Sequence, residues 1–327
     1  MILSPLSHQR LASILMLRYL LIAITNMSIY VEILVRSNLD ELWEKTQEPK
    51  LHQRWDLRFS EIEYLLRNPG EAQKFTYATR LGVGVRIEGS GESTGEHNDS
   101  NGQRTSALKF WSDDPKSLIV VGSGYWKYIP TSDGIRFITW YDYRTRFGIL
   151  GAISDRLIFR PLMGWATAWS FDRLRLWIEK GITPETSREK ALAYAISRLS
   201  IAFVWFYHGL VPKLINRNGD ELKMLRDAGI ASSELMRAVS VLGFLEICFA
   251  LMIAIFWKSR WPLWLTVAAM LSATLGVAIT SPNYLTAAFD PLTLNLSVAA
   301  LAVVCLFNGR NVPTATNCLR RSPDGEQ

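Results

Sequence analysis

Polar and apolar positions divide the chain into two halves with different periodicities. From Ile29 to Val35 apolar residues alternate with polar ones, which is the period of a half-buried strand. After Lys190 the chain changes to apolar runs of about 20 residues, the length at which a helix crosses the hydrocarbon of a bilayer. The pattern therefore predicts a soluble N-terminal domain followed by a membrane domain.

The first half repeats short strand patterns separated by turn-forming residues. Asn38 is placed to cap a helix that Pro49 ends. A final helix over 149–180 closes the domain, with Pro161 and Gly164 as expected kink positions. Six further strands are predicted between Gly-, Asn-, Asp- and Pro-rich turns, at 62–66, 74–81, 84–93, 105–111, 122–130 and 134–146.

This order of elements, together with the stretch IYVEILVRSNLDELWEKTQEPKLHQRWD, resembles the SRPBCC or START-like group, which includes polyketide cyclases and lipid binders. The resemblance implies an α+β helix-grip fold over 27–181. It also implies an apolar cavity between a curved sheet and the closing helix, and hence a hydrophobic ligand. Seven tryptophans are candidates to line that cavity, or else to fill an ordinary packed core: Trp43, Trp55, Trp111, Trp126, Trp140, Trp165 and Trp169.

The second half follows a linker at 182–190 and contains four apolar segments. They lie at 191–215, 235–257, 261–280 and 286–307. The stretches RLSIAFVWFYHGLVPKLI, VLGFLEI and FDPLTLNLSVAAL resemble DoxX-like integral membrane proteins. That resemblance implies an all-α four-helix transmembrane bundle over 191–308, and some relatives are subunits of quinone-linked oxidoreductases.

Loop charge predicts the orientation of this bundle. Lys258 and Arg260 lie between the second and third segments, whereas the loop after the third segment contains neither Lys nor Arg. Because Lys and Arg concentrate on the cytoplasmic side, the N-terminal domain and the C-terminal tail are predicted to be cytoplasmic, in a bacterial-type cytoplasmic membrane. The tail, 309–327, is expected to be disordered. Residues 1–26 are interpreted as a leader or as sequence before a true start at Met27, with an N-terminal membrane anchor as the alternative.

Polar side chains inside apolar segments are costly unless they are paired or face a cavity. Glu246 is therefore expected to reach either His208 or Arg198. Such a pocket is either a binding site for a quinone or isoprenoid headgroup, or a static network that sets helix register. The residues expected to form it are Arg198, Tyr207, His208, Lys213, Glu246, Asp290 and Asn295.

Composition excludes several function classes. The net charge is +6, but the basic residues are scattered and form no long run with interleaved aromatics, so nucleic acid is not an expected partner. The three cysteines and four histidines lack the spacing of a metal site. The stretch GVGVRIEGSG lacks the strand and helix context of a dinucleotide-binding loop, and no cofactor motif is evident.

The sequence shows no recognisable set of a nucleophile, a base and a residue that orients the base, so it does not indicate catalysis. His52, Asp56, Glu61 and Glu63 lie close in sequence and are interpreted as a solvated helix end, with a cyclase-type enzyme as a lesser alternative. The sequence thus predicts a membrane-anchored binding protein for a lipid, isoprenoid or quinone, with membrane lipids and a hydrophobic small molecule as partners. The alternative function is a cofactor-free subunit of a quinone-linked oxidoreductase, which needs a redox partner protein.

Overall fold

The protein is described by a computed structural model over residues 28–82 and 84–323. The predictions for residues 1–26 lie outside this range. The chain divides into two compact units, which are considered separately. The N-terminal unit comprises Met1–Glu185 and Pro313–Gln327, and the membrane unit comprises Thr186–Val312.

Among the described residues, seven antiparallel strands form the sheet of the N-terminal unit, in the spatial order β1-β7-β6-β5-β4-β3-β2. Alternate residues of each strand face a core against one side of the sheet, as the burial of Val31, Ile33 and Val35 in the first strand demonstrates. The strands are β1 (Ile29–Val35), β2 (Glu61–Tyr64), β3 (Lys74–Leu81), β4 (Val85–Asn98), β5 (Arg104–Trp111), β6 (Ile119–Thr131) and β7 (Gly134–Thr145).

Helices follow the first and last strands. They are α1 (Leu39–Gln47), α2 (Pro49–Trp55), α3 (Gly148–Ser154) and α4 (Arg160–Lys180), with a π-helical segment (Asp155–Phe159) between the last two. Asn38 caps α1 as predicted, because its Oδ1 accepts a hydrogen bond from Glu41 N at 2.7 Å. Phe171 of α4 stacks on Phe137 of β7 with ring centroids 4.4 Å apart, so α4 closes the core. The predicted α+β architecture of this unit, an antiparallel sheet closed by a C-terminal helix, is confirmed.

One strand of this unit is longer than predicted. The strand expected to end at residue 93 continues to Asn98, because a register shift between Ser93 and Gly95 absorbs the irregular stretch without ending the pairing with β5. The closing helix predicted over 149–180 is present. It consists of α3, the π-helical segment just before Pro161, and α4, which ends at Lys180.

The C-terminal tail is ordered where the structure describes it, contrary to the predicted disorder of 309–327. Leu319 exchanges two backbone hydrogen bonds of 2.9 Å with Glu32, so the tail pairs with the open edge of β1. Asp172 of α4 is fully buried and accepts hydrogen bonds from Thr314 N at 2.8 Å and from the Asn317 side chain. Covering an unpaired strand edge and satisfying a buried carboxylate together explain why this polar segment folds.

The membrane unit consists of helices joined by short connections. They are α5 (Pro184–His208), which continues as a π-helical segment (Gly209–Ile215), then α6 (Gly219–Asp227), α7 (Leu235–Ile255), α8 (Trp261–Thr280), a 3₁₀ turn (Pro282–Thr286) and α9 (Pro291–Asn308). Among the described residues α7, α8 and α9 are long and apolar enough to cross a membrane. The predicted first span, 191–215, corresponds to most of α5 and its π-helical continuation, and its crossing stays a prediction.

Candidate functional site

The site begins where the π-helical continuation of α5 passes α7 at very short distance. A Cβ on Gly209 would lie 2.5 Å from the carbonyl oxygen of Gly243, and a Cβ on Gly243 would lie 2.7 Å from that of Gly209. Only glycine allows two backbones to approach so closely. Pro212, which has no N–H to donate, lies within the same π-helical segment. This crossing brings Lys213 against α7.

Lys213 is held between two carboxylates in what we name the acid–lysine cluster: Lys213, Glu221 and Glu246. Its Nζ lies 3.1 Å from Glu221 Oε1 and 3.2 Å from Glu246 Oε1, and its side chain is 8% exposed. Among the described residues, the buried Oε2 of Glu246 has no hydrogen-bond partner. The cluster therefore carries a net charge of −1 when all three groups are ionised, and it retains one acceptor without a donor.

The acid–lysine cluster opens onto a cavity of about 1070 Å³ within the membrane unit. His208 lies on the same cavity wall. Most of the remaining surface is apolar and comes from α7, α8 and α9, including Leu242, Leu245, Phe249, Ala269, Met270 and Val298. A cavity with apolar walls and a few converging polar groups is typical of a site for a small amphipathic molecule.

The short helix α6 covers part of the cavity, and the sequence interpretation missed its role. Met224 and Leu225 of α6 line the cavity beside Glu221. Two hydrogen bonds fix the helix to the connection between α8 and α9, from Tyr284 Oη to Asp220 at 3.0 Å and from Ser281 to Asp227 at 2.8 Å. The apolar spacing of α6 was visible in the sequence, but nothing there indicated that Glu221 would reach Lys213.

Five of the seven predicted pocket residues line the cavity: His208, Lys213, Glu246, Asp290 and Asn295. The predicted pairing is wrong, because Glu246 contacts Lys213 rather than His208 or Arg198. Asp290 serves as the N-cap of α9, where its Oδ1 accepts from Thr293 N at 2.8 Å. Asn295 donates to Thr274 Oγ1 at 3.1 Å.

Arg198 and Tyr207 do not belong to the pocket. Arg198 is fully buried, and its guanidinium donates to the carbonyl oxygens of Ile253, Phe256 and Ser259 at 2.8, 2.6 and 3.1 Å. It therefore binds the end of α7, where helix carbonyls lack intrahelical donors. Tyr207 is 48% exposed and is absent from the cavity wall.

The seven tryptophans predicted as candidates to line a START-like cavity do not lie on one common surface. Trp55 is fully buried, and Trp43, Trp126 and Trp169 pack partly buried against the same core. Trp126 lies 5.7 Å from Phe137 and 6.1 Å from Trp55 between ring centroids. These four side chains thus contribute to a packed aromatic core.

The other three tryptophans lie elsewhere, which corrects the prediction for them. Trp140 stacks on Tyr125 with ring centroids 5.9 Å apart, on the sheet face opposite to its core-facing neighbour Tyr141. Trp111 is likewise the neighbour of the core-facing Phe110, and Trp165 is 43% exposed.

A buried polar triad lies at the end of α2, where the sequence indicated a solvated helix end. Asp56 is 1% exposed. It accepts two hydrogen bonds from the Arg58 guanidinium, at 2.9 and 2.6 Å, and lies 3.0 Å from His52 Nε2. The His52 ring is enclosed by Trp55 and Trp126, each 4.9 Å away between centroids. Glu61, in contrast, forms surface ion pairs with Arg80 and Arg86, and Glu63 of β2 is exposed.

Solved structures share a weak overall likeness with the chain. The STAR-related lipid transfer protein from Xanthomonas axonopodis is 14% identical, with a TM-score of 0.37, over 47% of this chain and 86% of that structure. The protein TTHA0849 from Thermus thermophilus is 14% identical, with a TM-score of 0.35, over 46% of this chain and 97% of that structure.

Sequence comparison is more specific. Residues 202–303 match the model of the DoxX-like family. The uncharacterized membrane protein YndG of Bacillus subtilis (strain 168) is 53% identical over 182 residues, which cover 55% of this chain and 68% of YndG. With that identity and coverage, the chain belongs to the family of membrane proteins that includes YndG, and it carries a DoxX-like domain in its C-terminal half.

Proposed function

We propose that this protein binds an amphipathic hydrophobic molecule of the lipid, isoprenoid or quinone class in the cavity of the membrane unit. The observation that carries the proposal is the cavity of about 1070 Å³ with apolar walls and the acid–lysine cluster on its surface. This volume is slightly larger than the range of about 300–1,000 Å³ typical of small-molecule sites. The ligand site of this proposal therefore lies in the membrane unit, rather than between the sheet and α4.

The charge of the acid–lysine cluster indicates which polar head fits. One ammonium between two carboxylates leaves a net negative charge, which repels a phosphate head. The buried Oε2 of Glu246 has no donor among the described residues, and an unsatisfied buried acceptor costs about 1–3 kcal/mol. A head with an O–H or N–H group removes that cost by donating to Oε2. We therefore favour a neutral hydroxyl-bearing ligand.

Replacing Glu246 with glutamine is expected to reduce the ligand that co-purifies with the protein by about tenfold, which corresponds to about 1.4 kcal/mol. Glutamine has nearly the shape of glutamate but lacks its charge and one acceptor oxygen. The ligand is measured per mole of protein, by mass spectrometry of an organic extract from protein purified out of native membranes.

Glu234→Gln is the matched control, because Glu234 is an exposed carboxylate just before the same helix, α7. This variant is expected to retain the wild-type ligand content. Protection of the buried Cys305 thiol from maleimide verifies that each variant is folded. Equal ligand content in wild type and Glu246→Gln would exclude Oε2 as a recognition group.

A role in quinone chemistry is the second candidate, and the position of His208 favours it. This imidazole lines the same cavity as Glu246, and histidine is the side chain best suited to exchange protons near neutral pH. In this case the extracted molecule is a quinone and the electrons come from a redox partner protein. A saturated lipid or an isoprenol in the extract excludes this candidate.

The proposal includes four membrane crossings, with α5 and its π-helical continuation as the first. Tyr194 Oη donates to the carbonyl oxygen of Trp257 beyond the end of α7, and Gly209 crosses α7 at Gly243. These contacts support an α5 that runs beside α7. Residues 194–215 extend about 32 Å at 1.5 Å per residue, which matches a hydrocarbon thickness of about 30 Å.

Pairing of the tail with the sheet supports an even number of crossings. Leu319 pairs with Glu32 in the N-terminal unit, so residues before and after the membrane unit lie on one side of the membrane. Three crossings would separate them. With the basic loop residues Lys258 and Arg260, this parity supports a cytoplasmic N-terminal unit and tail.

Cysteines placed in connections of the membrane unit are expected to report this topology in intact cells. Asn283→Cys, between α8 and α9, should react with a membrane-impermeant maleimide applied outside, whereas Ser259→Cys, between α7 and α8, should react only after lysis. A variant with Ser322→Cys in the tail should behave like Ser259→Cys. Ser132→Cys, exposed in the N-terminal unit, should also react only after lysis. Its reaction from outside, in cells where residue 259 is protected, would contradict an even number of crossings.

A further inference from the structure

One face of the helical segment leading into α4 is apolar although it faces solvent. Between Phe147 and Trp165, exposed large apolar side chains recur along the segment and are 43% to 76% exposed. This set, with Leu150, Leu157, Ile158 and Leu162 between its ends, is named the apolar stripe. A helix of a soluble domain turns such a stripe towards the core. Here Phe159 and Met163 do pack against the core, and the buried positions are Gly151, Asp155 and Gly164, but the apolar stripe remains exposed on the other side.

The exposed charged residues from Arg144 to Trp165 are positive. Asp155 is the one carboxylate between residues 147 and 165. It is 5% exposed and bonds with Tyr143 Oη and Arg160 Nε, each at 2.7 Å. Arg156 in the segment and Arg144 just before it are exposed. An apolar helix face with a basic border is the pattern of helices that lie in the headgroup region of a bilayer, and the basic residues complement anionic lipids.

The N-terminal unit cannot diffuse away from a membrane. α4 ends at Lys180 and α5 begins at Pro184, so three residues separate the closing helix of this unit from the helix that enters the membrane unit. The bilayer is thus always available to the apolar stripe. Contiguous exposed apolar surfaces of this kind mark interaction sites in soluble domains.

We infer that the apolar stripe inserts into the headgroup region of the bilayer and holds α3 and the start of α4 in the membrane interface. This contact is independent of the ligand proposed for the membrane unit, because it involves a different surface and needs no bound molecule. The proposed partner of the apolar stripe is therefore lipid, and not a second copy of the chain or residues 1–26.

The test uses the full chain in nanodiscs of phosphatidylethanolamine and phosphatidylglycerol, with one copy in each disc. A Cys248→Ser background removes the partly exposed native thiol and leaves the buried Cys305 and Cys318. Leu157→Cys is labelled with an environment-sensitive bimane dye, and Leu150→Cys serves as a second stripe position. Ser132→Cys is the control, because Ser132 lies exposed in the turn between β6 and β7, at the opposite end of β7 from the stripe.

Dyes on the apolar stripe are expected to be quenched by nitroxide-labelled lipid and to be shielded from aqueous iodide by about fivefold or more relative to residue 132. Equal iodide quenching at 150, 157 and 132 would overturn the inference. Shielding that requires two or more copies per disc would overturn it in favour of self-association. Shielding that disappears in a chain beginning at Met27 would assign the stripe to residues 1–26 instead. Protection of Cys318 confirms that the N-terminal unit of each variant is folded.

Discussion

The Asp56→Asn variant is expected to lose about 3–5 kcal/mol of the stability of the N-terminal unit. Both oxygens of Asp56 bond with Arg58 in a site that is 1% exposed. Asparagine leaves the guanidinium buried without a counter-charge, and an uncompensated buried charge costs more than the intact pair contributes. Domains are typically stable by about 5–15 kcal/mol, so this one substitution removes a large fraction of the total.

Cys318 provides the measurement, because it is buried against α4 with its Sγ 3.2 Å from the carbonyl oxygen of Ala168. Burial raises the pKa of this thiol to about 12, so maleimide labels it only when the unit opens. A loss of 3 kcal/mol raises the open fraction, and hence the labelling rate, by about 100-fold. Asp113→Asn, at an exposed position, is the control and is expected to change nothing.

Replacing both Asp56 and Arg58 by apolar residues tests whether their ion pair has a structural role. The double variant Asp56→Leu with Arg58→Met removes both charges and is expected to recover most of the lost protection, because replacing a complete buried pair by apolar residues is often neutral. If Asp56→Asn labels Cys318 at the wild-type rate, the triad does not stabilise the unit.

Acid is expected to weaken the same unit through both titrating members of the triad. Burial alone would raise the pKa of Asp56, but the charge and hydrogen bonds of Arg58 and His52 outweigh it and hold the pKa below its ordinary value of 3.8. Burial lowers the pKa of His52 below its ordinary 6.5. Both folded-state pKa values are depressed, so the stability is present above the unfolded values and is lost as pH falls, first below about 6.5 and further below about 4. In Asp56→Asn the second loss is expected to disappear.

Periodicity was sufficient for the architecture of the N-terminal unit. The alternation of apolar and polar residues correctly predicted β1, and Asn38 correctly predicted the start of α1, because both signals depend on local backbone geometry. The extent of β4 was not accessible in this way, since a bulge at Gly95 is stabilised by pairing with β5. The order of the tail was equally inaccessible, because it depends on the distant Asp172 and on the unpaired edge of β1.

The sequence was sufficient to predict most residues of the candidate site, but not which of them contact each other. The cost of burying charge correctly indicated that Glu246 needs a partner. Its partner is Lys213 because the Gly209–Gly243 crossing and the π-helical segment turn that side chain inward, and no helical-wheel argument includes a change of helical geometry. The interpretation of His52 and Asp56 as part of a solvated helix end was wrong for a related reason. Their sequence neighbourhood is polar, but the rings of Trp55, Phe59 and Trp126 pack around His52 and enclose it.

Arg198→Met is expected to have the largest effect on the membrane unit, a loss of about 3 kcal/mol or more. The guanidinium satisfies three backbone carbonyl oxygens at the end of α7 and also donates to Tyr194 Oη at 2.7 Å. An acceptor that loses its donor in a buried site costs about 1–3 kcal/mol, and the Arg198 side chain that would be lost is fully buried. Relief from burying one charge, about 2.5–3.5 kcal/mol on insertion scales, offsets only part of that sum.

Arg198→Lys separates carbonyl binding from a simple need for positive charge. The ammonium keeps the charge but lacks the rigid fork of five donors, and it is too compact to reach oxygens on Ile253, Phe256 and Ser259 together. Lysine is therefore expected to restore less than half of the lost protection of Cys305, measured by maleimide labelling in native membranes. Arg237→Met, at a side chain that is 82% exposed near the start of α7, is expected to label as wild type. If the lysine variant also labels as wild type, charge alone is sufficient and the carbonyl-binding role is wrong.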